Sequence, residues 1–104
     1  METTIDSKFT ENTEAIISQF GFKDLKSFIK NQALLMLMAK IDKFEAENKQ
    51  YEAKYQILFH DFKKQMEEIH GMEDIEKEED YLDWRFAVEA TDRLNKQKLE
   101  LENA

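Results

Sequence analysis

The sequence predicts a mainly α-helical fold. It reads as a short N-terminal strand, a helix-turn-long helix with a coiled-coil-like seam, and a C-terminal helix. Three observations carry this. The chain of 104 residues has no proline and only two glycines, Gly21 and Gly71, which suits long helices and starves the tight turns of a β-sandwich. Charged residues make up 37% of it, as solvent-facing helix surfaces require. From Leu34 the apolar residues recur in alternating steps of three and four, the period of a helical seam. The length argues for one domain over 1–104. It has three parts: a ribbon-helix-helix-like dimerisation part at 1–39, a long-helix continuation and hairpin at 40–70, and an acidic segment with a C-terminal helix at 71–104.

Residues 3–9, TTIDSKF, alternate, with Ile5 and Phe9 on one side and Thr4, Asp6 and Lys8 on the other. Alternation is the period of a strand. Thr10 can cap a helix starting at Glu11, whose acids Glu11 and Glu14 lie near its positive end. Ile16, Ile17 and Phe20 form its apolar stripe. Gly21 then supplies the left-handed residue that ends a helix, and Phe22 can fold back onto Ile17. Asp24 can cap the next helix.

No breaker follows for thirty residues. Leu34, Leu37, Ile41, Phe44, Asn48, Tyr51, Tyr55, Leu58 and Phe62 make the seam. A helix over 25–54 would run about 45 Å at roughly 1.5 Å per residue. Asn48 falls in the seam, where an asparagine either fixes register or faces water. Apolar residues crowd around Gln56-Ile57-Leu58-Phe59, where the helix either breaks or runs on. It resumes over Asp61 to Ile69 and stops at Gly71. A last helix runs from about Asp80 to Lys98 with a broad apolar arc that includes Tyr81, Trp84, Ala87, Val88 and Leu94, widened further by Leu82 and Phe86.

The net charge of −8 is uneven. Residues 1–39 and 40–70 each carry −1, and residues 71–104 carry −6. Seven acids and one lysine stand in EDIEKEEDYLD, residues 73–83. Such a block disfavours non-specific nucleic-acid binding and favours a basic partner. The longest apolar run, Ala33 to Ala39, is far below the roughly 20 residues of a membrane span. Met1-Glu2-Thr3-Thr4 lacks the basic end and apolar segment of a signal peptide. A cytoplasmic protein with no membrane partner is expected.

The pattern TTIDSKF, TENTEAIISQF, GF, KDLKSFIKNQALL resembles the ribbon-helix-helix family of regulators and antitoxins over about a third of the chain. Gly21, Phe22, Phe28 and Ile29 stand where the family has its corner glycine and helix-core residues. The resemblance implies a dimer, with Phe28, Ile29, Leu34, Leu37, Ile41 and Phe44 as dimerisation residues. It also implies DNA contact. Thr4, Asp6 and Lys8 would face the major groove, and the second helix would offer its amino end, near Lys23 and Lys26, to phosphate. Asp6 would aim a carboxylate at DNA, and the second helix runs past the family's usual length.

Antitoxins of this type carry a C-terminal segment that wraps a basic toxin. The stretch Glu78, Glu79, Asp80, Tyr81, Leu82, Asp83, Trp84 and Phe86 is similar in character, with aromatic anchors and steering acids. An antitoxin-like protein that neutralises a basic toxin and autoregulates its operon is therefore expected. The alternatives are a helical interaction or scaffold protein without DNA binding, and an acidic nucleic-acid mimic.

Nothing points to catalysis. Cysteine is absent, and the histidines are His60 and His70. Glu67 and His70 make one Glu-x-x-His spacing, whereas a di-iron bundle needs two with two further glutamates. No catalytic residue, metal or cofactor is expected.

Overall fold

The computed structural model describes residues 6–68 and 74–104. Four helices make up the described chain: α1 (Ser7–Ser18), α2 (Leu25–Tyr55), α3 (Phe59–Glu68) and α4 (Ile75–Glu102). There is no strand among the described residues. The chain divides into two compact units, 1–36 and 37–104, with the boundary inside α2.

The first unit corrects the expected strand. Residues 7–9 are the opening turn of α1, and Asp6, not Thr10, is its cap. The Asp6 carboxylate accepts from the Lys8 amide at 2.8 Å. Thr10 sits one turn in, its hydroxyl donating to the Asp6 carbonyl. An aspartate satisfies an orphan amide at a helix start, and three alternating residues hold no partner strand to outweigh it.

The corner forms as the sequence predicts. Gly21 takes a φ of +90°. Its amide donates to the Ser18 carbonyl, and the Phe22 amide donates to the Ile17 carbonyl, both at 3.2 Å. These are the paired bonds of a Schellman stop, in which only glycine enters the left-handed region without a Cβ penalty. Phe22 packs edge-on against Phe28, with centroids 5.3 Å apart. Asp24 then starts α2 by accepting from the Ser27 amide at 2.8 Å. Glu14 of α1 accepts from the Leu25 amide at 3.3 Å. Ile17 is the buried side chain of this unit among the described residues, while Ile16 and Phe20 of the predicted stripe are exposed.

The second unit is an aromatic core built between three helices. Helix α2 ends at Tyr55, where Gln56 adopts a φ of +55° and breaks the chain direction. Helix α3 begins at Phe59, two residues earlier than expected, and α4 begins at Ile75, five earlier. Asp74 is the reason for the second shift: its carboxylate accepts from the Lys77 amide at 3.0 Å and caps α4 inside the acidic run. Glu76 and Glu78 then lie in the first turn, where the helix dipole favours carboxylates. The acidic block from Ile75 on is therefore helix. Gly71, the expected stop, lies outside the described residues.

Partner numbers fall along α4 as they rise along α2. Phe44 meets Phe86, Asn48 meets Trp84, and Tyr55 meets Asp80. The two helices thus run antiparallel, and the three-four seam of α2 is answered within the chain from Phe44 to Tyr55. Trp84 and Phe62 are fully buried, with Ala87 and Ala90 beside them in sequence also buried. Of the seam residues expected to dimerise, Ile41 is buried and Phe44 packs edge-on against Phe86 at 5.7 Å. Leu58 points to solvent at the break, and Phe62 enters the core.

Candidate functional site

The residues singled out in the acidic C-terminal stretch divide into an inner and an outer set. Trp84 is at the centre of the inner set. Its indole stacks on Tyr51 at 5.6 Å and on Tyr55 at 6.2 Å. Phe59, edge-on, and Phe62, tilted, close it in at 5.3 and 5.0 Å. The indole nitrogen donates to the Asn48 side-chain oxygen at 2.6 Å. Tyr81 stacks on Phe59 at 6.0 Å. Aromatic contacts of this kind add about 0.5–1.5 kcal/mol each beyond area burial. Trp84 is therefore a core residue with no surface to offer a partner, and Tyr81 is mostly committed to the same core.

Asn48 meets a specific need at its seam position. A buried indole N–H with no acceptor is costly, and Asn48 is the acceptor. Its amide nitrogen in turn donates to Glu52. The asparagine therefore fixes which residue of α4 lies opposite, as a polar seam residue fixes register.

Asp80 belongs to a polar clamp beside the aromatic core. Lys54 and the Tyr55 hydroxyl both donate to Asp80 at 2.5 Å, and Lys54 also donates to Glu76 at 2.8 Å. Burial pushes the Tyr55 phenol up to about 12, and the Asp80 contact adds to it. The hydrogen bonds it donates to Asp80 and Glu76 raise the Lys54 ammonium. Burial works to raise the Asp80 carboxyl, but the Lys54 and Tyr55 hydrogen bonds win and hold it below the usual carboxylate range. A carboxyl lowered in the folded state stabilises the fold above its unfolded value of about 3.9 and loses that contribution as pH falls through the folded value. Wild type and Asp80→Asn are thus expected to differ in Tm at neutral pH. The gap should close as pH falls below about 4, read by circular dichroism melts across that range.

The outer set faces water along one edge of α4. Ile75, Leu82 and Phe86 are 62%, 56% and 58% exposed. Their spacing of seven and four places them within roughly a 40° arc of the helix. Glu79 and Asp83 lie on one flank of this strip. Glu78 and Glu89 lie on the other, with Glu89 paired to Arg85 at 3.1 Å. Ile75 escaped the sequence reading, although the heptad step from Ile75 to Leu82 was available to find it.

The residues expected at DNA are not brought together as a ribbon. Thr4 lies outside the described residues, and Lys8 is in the first turn of α1. Lys23 and Lys26 are exposed at the start of α2. The amides there, however, already serve carboxylates of the chain: Leu25 donates to Glu14 and Ser27 to Asp24. The Ser27 backbone bond is the main cause holding the Asp24 carboxyl below its ordinary value. A phosphate at that helix start would have to displace two anions. Of the remaining residues expected to dimerise, Phe28 is engaged by Phe22, Ile29 is exposed, and Leu34 and Leu37 are half-buried.

No group of three or more metal-ligating side chains occurs among the described residues; His70, of the Glu-x-x-His spacing, lies outside them. Among the described residues no helix is long and apolar enough to cross a membrane. No family model matches this chain, no curated protein matches it, and no solved structure matches it.

Proposed function

We propose that this chain is a binding protein, not a catalyst, and that it captures a basic protein through the exposed edge of α4. The observation that supports this reading is the strip of Ile75, Leu82 and Phe86, held in solvent between four carboxylates. An apolar centre supplies contact area, and a charged rim steers the approach and rejects acidic surfaces. The core behind the strip, with Trp84 and Phe62 fully buried, gives it a rigid backing and lowers the ordering cost of association. In its most specific form the activity is antitoxin-like neutralisation, in which the acidic helix covers a basic surface that a toxin uses elsewhere. DNA contact is no part of the proposal, because the α2 amides are capped by Asp24 and Glu14.

Co-expression with the product of the neighbouring gene tests this. The expected result is a complex that weakens as salt rises, since exposed charge pairs are screened. Replacing Ile75 and Leu82 together by glutamate should weaken it by about 30-fold or more, the effect of losing an interface hot spot. Both side chains are exposed, so the melting temperature should barely move. A double variant that binds as wild type does would sink the reading.

A further inference from the structure

The charges around the α4 strip are unequal, and they specify its occupant more closely than a basic surface. Glu79 and Asp83 stand one helical turn apart on one flank, both exposed. Among the described residues no cation pairs with either of them, nor with Glu78. On the other flank Glu89 is already matched by Arg85 at 3.1 Å. Arg93, seven residues beyond Phe86, continues the line of the strip and closes it with an exposed cation.

The strip is a ridge along one helix. Ile75, Leu82 and Phe86 extend about 17 Å along α4 at roughly 1.5 Å per residue. Helix α4 is unbroken over 28 residues, so its interior amides and carbonyls bond within the helix. They leave no edge for an extended segment to pair with. A ridge of this kind is covered lengthwise by a second helix, whose side chains fill the grooves beside it. Steps of seven and four are heptad steps. The carboxylates flanking them stand where a coiled coil selects its partner by opposite charge.

We infer that the strip takes a basic amphipathic helix of the partner, about two heptads long. Its apolar seam lies on Ile75, Leu82 and Phe86, and its lysines or arginines face Glu79 and Asp83. The inference rests on the binding role proposed for α4.

The test uses the full chain and a synthetic three-heptad peptide with leucine at both seam positions and lysine at both flanking positions. Alone, the peptide's lysines repel one another and leave it largely unfolded. With the chain it should bind and gain helix, read by titration calorimetry and far-UV circular dichroism. A peptide of the same composition with the leucine period scrambled should bind about 10-fold more weakly or worse. Replacing Glu79 and Asp83 together by lysine should weaken binding by about 10-fold or more. The same change of charge at Asp42 and Glu45, exposed on α2, should leave it unaltered. A scrambled peptide that binds as tightly, binding without a gain of helix, or equal losses from the two charge changes overturns the inference. So does a peptide that fails to bind while the complex with the neighbouring gene's product forms and depends on Ile75 and Leu82. The binding role of α4 then stands without a helix as its occupant. Failure of that complex as well overturns both.

Discussion

Trp84→Ala should lower the unfolding free energy by about 3–5 kcal/mol, the usual cost of truncating a buried large aromatic. The indole is fully buried and touches rings from both other helices of its unit: Tyr51 and Tyr55 on α2, Phe59 and Phe62 on α3. Its removal leaves a cavity that four aromatic side chains cannot fill without leaving their own packing. It also strands the Asn48 oxygen, which accepts the indole N–H at 2.6 Å. Natural domains have only about 5–15 kcal/mol in hand, so much of the margin goes. Urea unfolding followed by circular dichroism is the measurement, since the variant has no tryptophan to follow. Were the midpoint unchanged while partner binding fell, Trp84 would be a surface anchor and the core described here would be wrong.

Asn48→Ala should cost about 1–3 kcal/mol, the penalty for leaving a buried donor without an acceptor. The decisive form is a cycle with Trp84→Phe, which removes the N–H and keeps a ring. If the pair acts through that hydrogen bond, Asn48→Ala should cost much less in the Trp84→Phe background. A coupling of about 1 kcal/mol is expected for neighbours sharing one bond. Equal costs in both backgrounds would mean that Asn48 acts through Glu52 alone. The tryptophan emission of Asn48→Ala should also shift, because its indole loses a polar neighbour.

The local features were largely legible in the sequence. Gly21 and Phe22 form the predicted stop, Asp24 forms the predicted cap, and α2 ends within a residue of the expected position. Each is set by one or two neighbouring residues and by backbone sterics, so a linear reading suffices. The errors arose where two local signals compete. At 3–9 a brief alternation competed with an Asp6 cap, and at 73–80 a run of charge masked the Asp74 cap. In both places the carboxylate that could bond an amide prevailed.

The sequence by itself determined that this is a helical protein with an acidic C-terminal third, and it left open the break that the structure places at Gln56. Those properties follow from periodicity, turn residues and charge, which are local or additive. It could not determine which side of α4 is inside. Tyr81, Leu82, Trp84, Phe86, Ala87 and Val88 cover most of the helix circumference, and periodicity gives no direction when the apolar arc is that wide. Only the packing of α2 and α3 decided it. Asn48 offered an acceptor to the indole, the rings of Tyr51, Tyr55, Phe59 and Phe62 closed around it, and Trp84 turned inward. Leu82 and Ile75 were thereby left in water among the acids, because a helix that buries one face must expose the other.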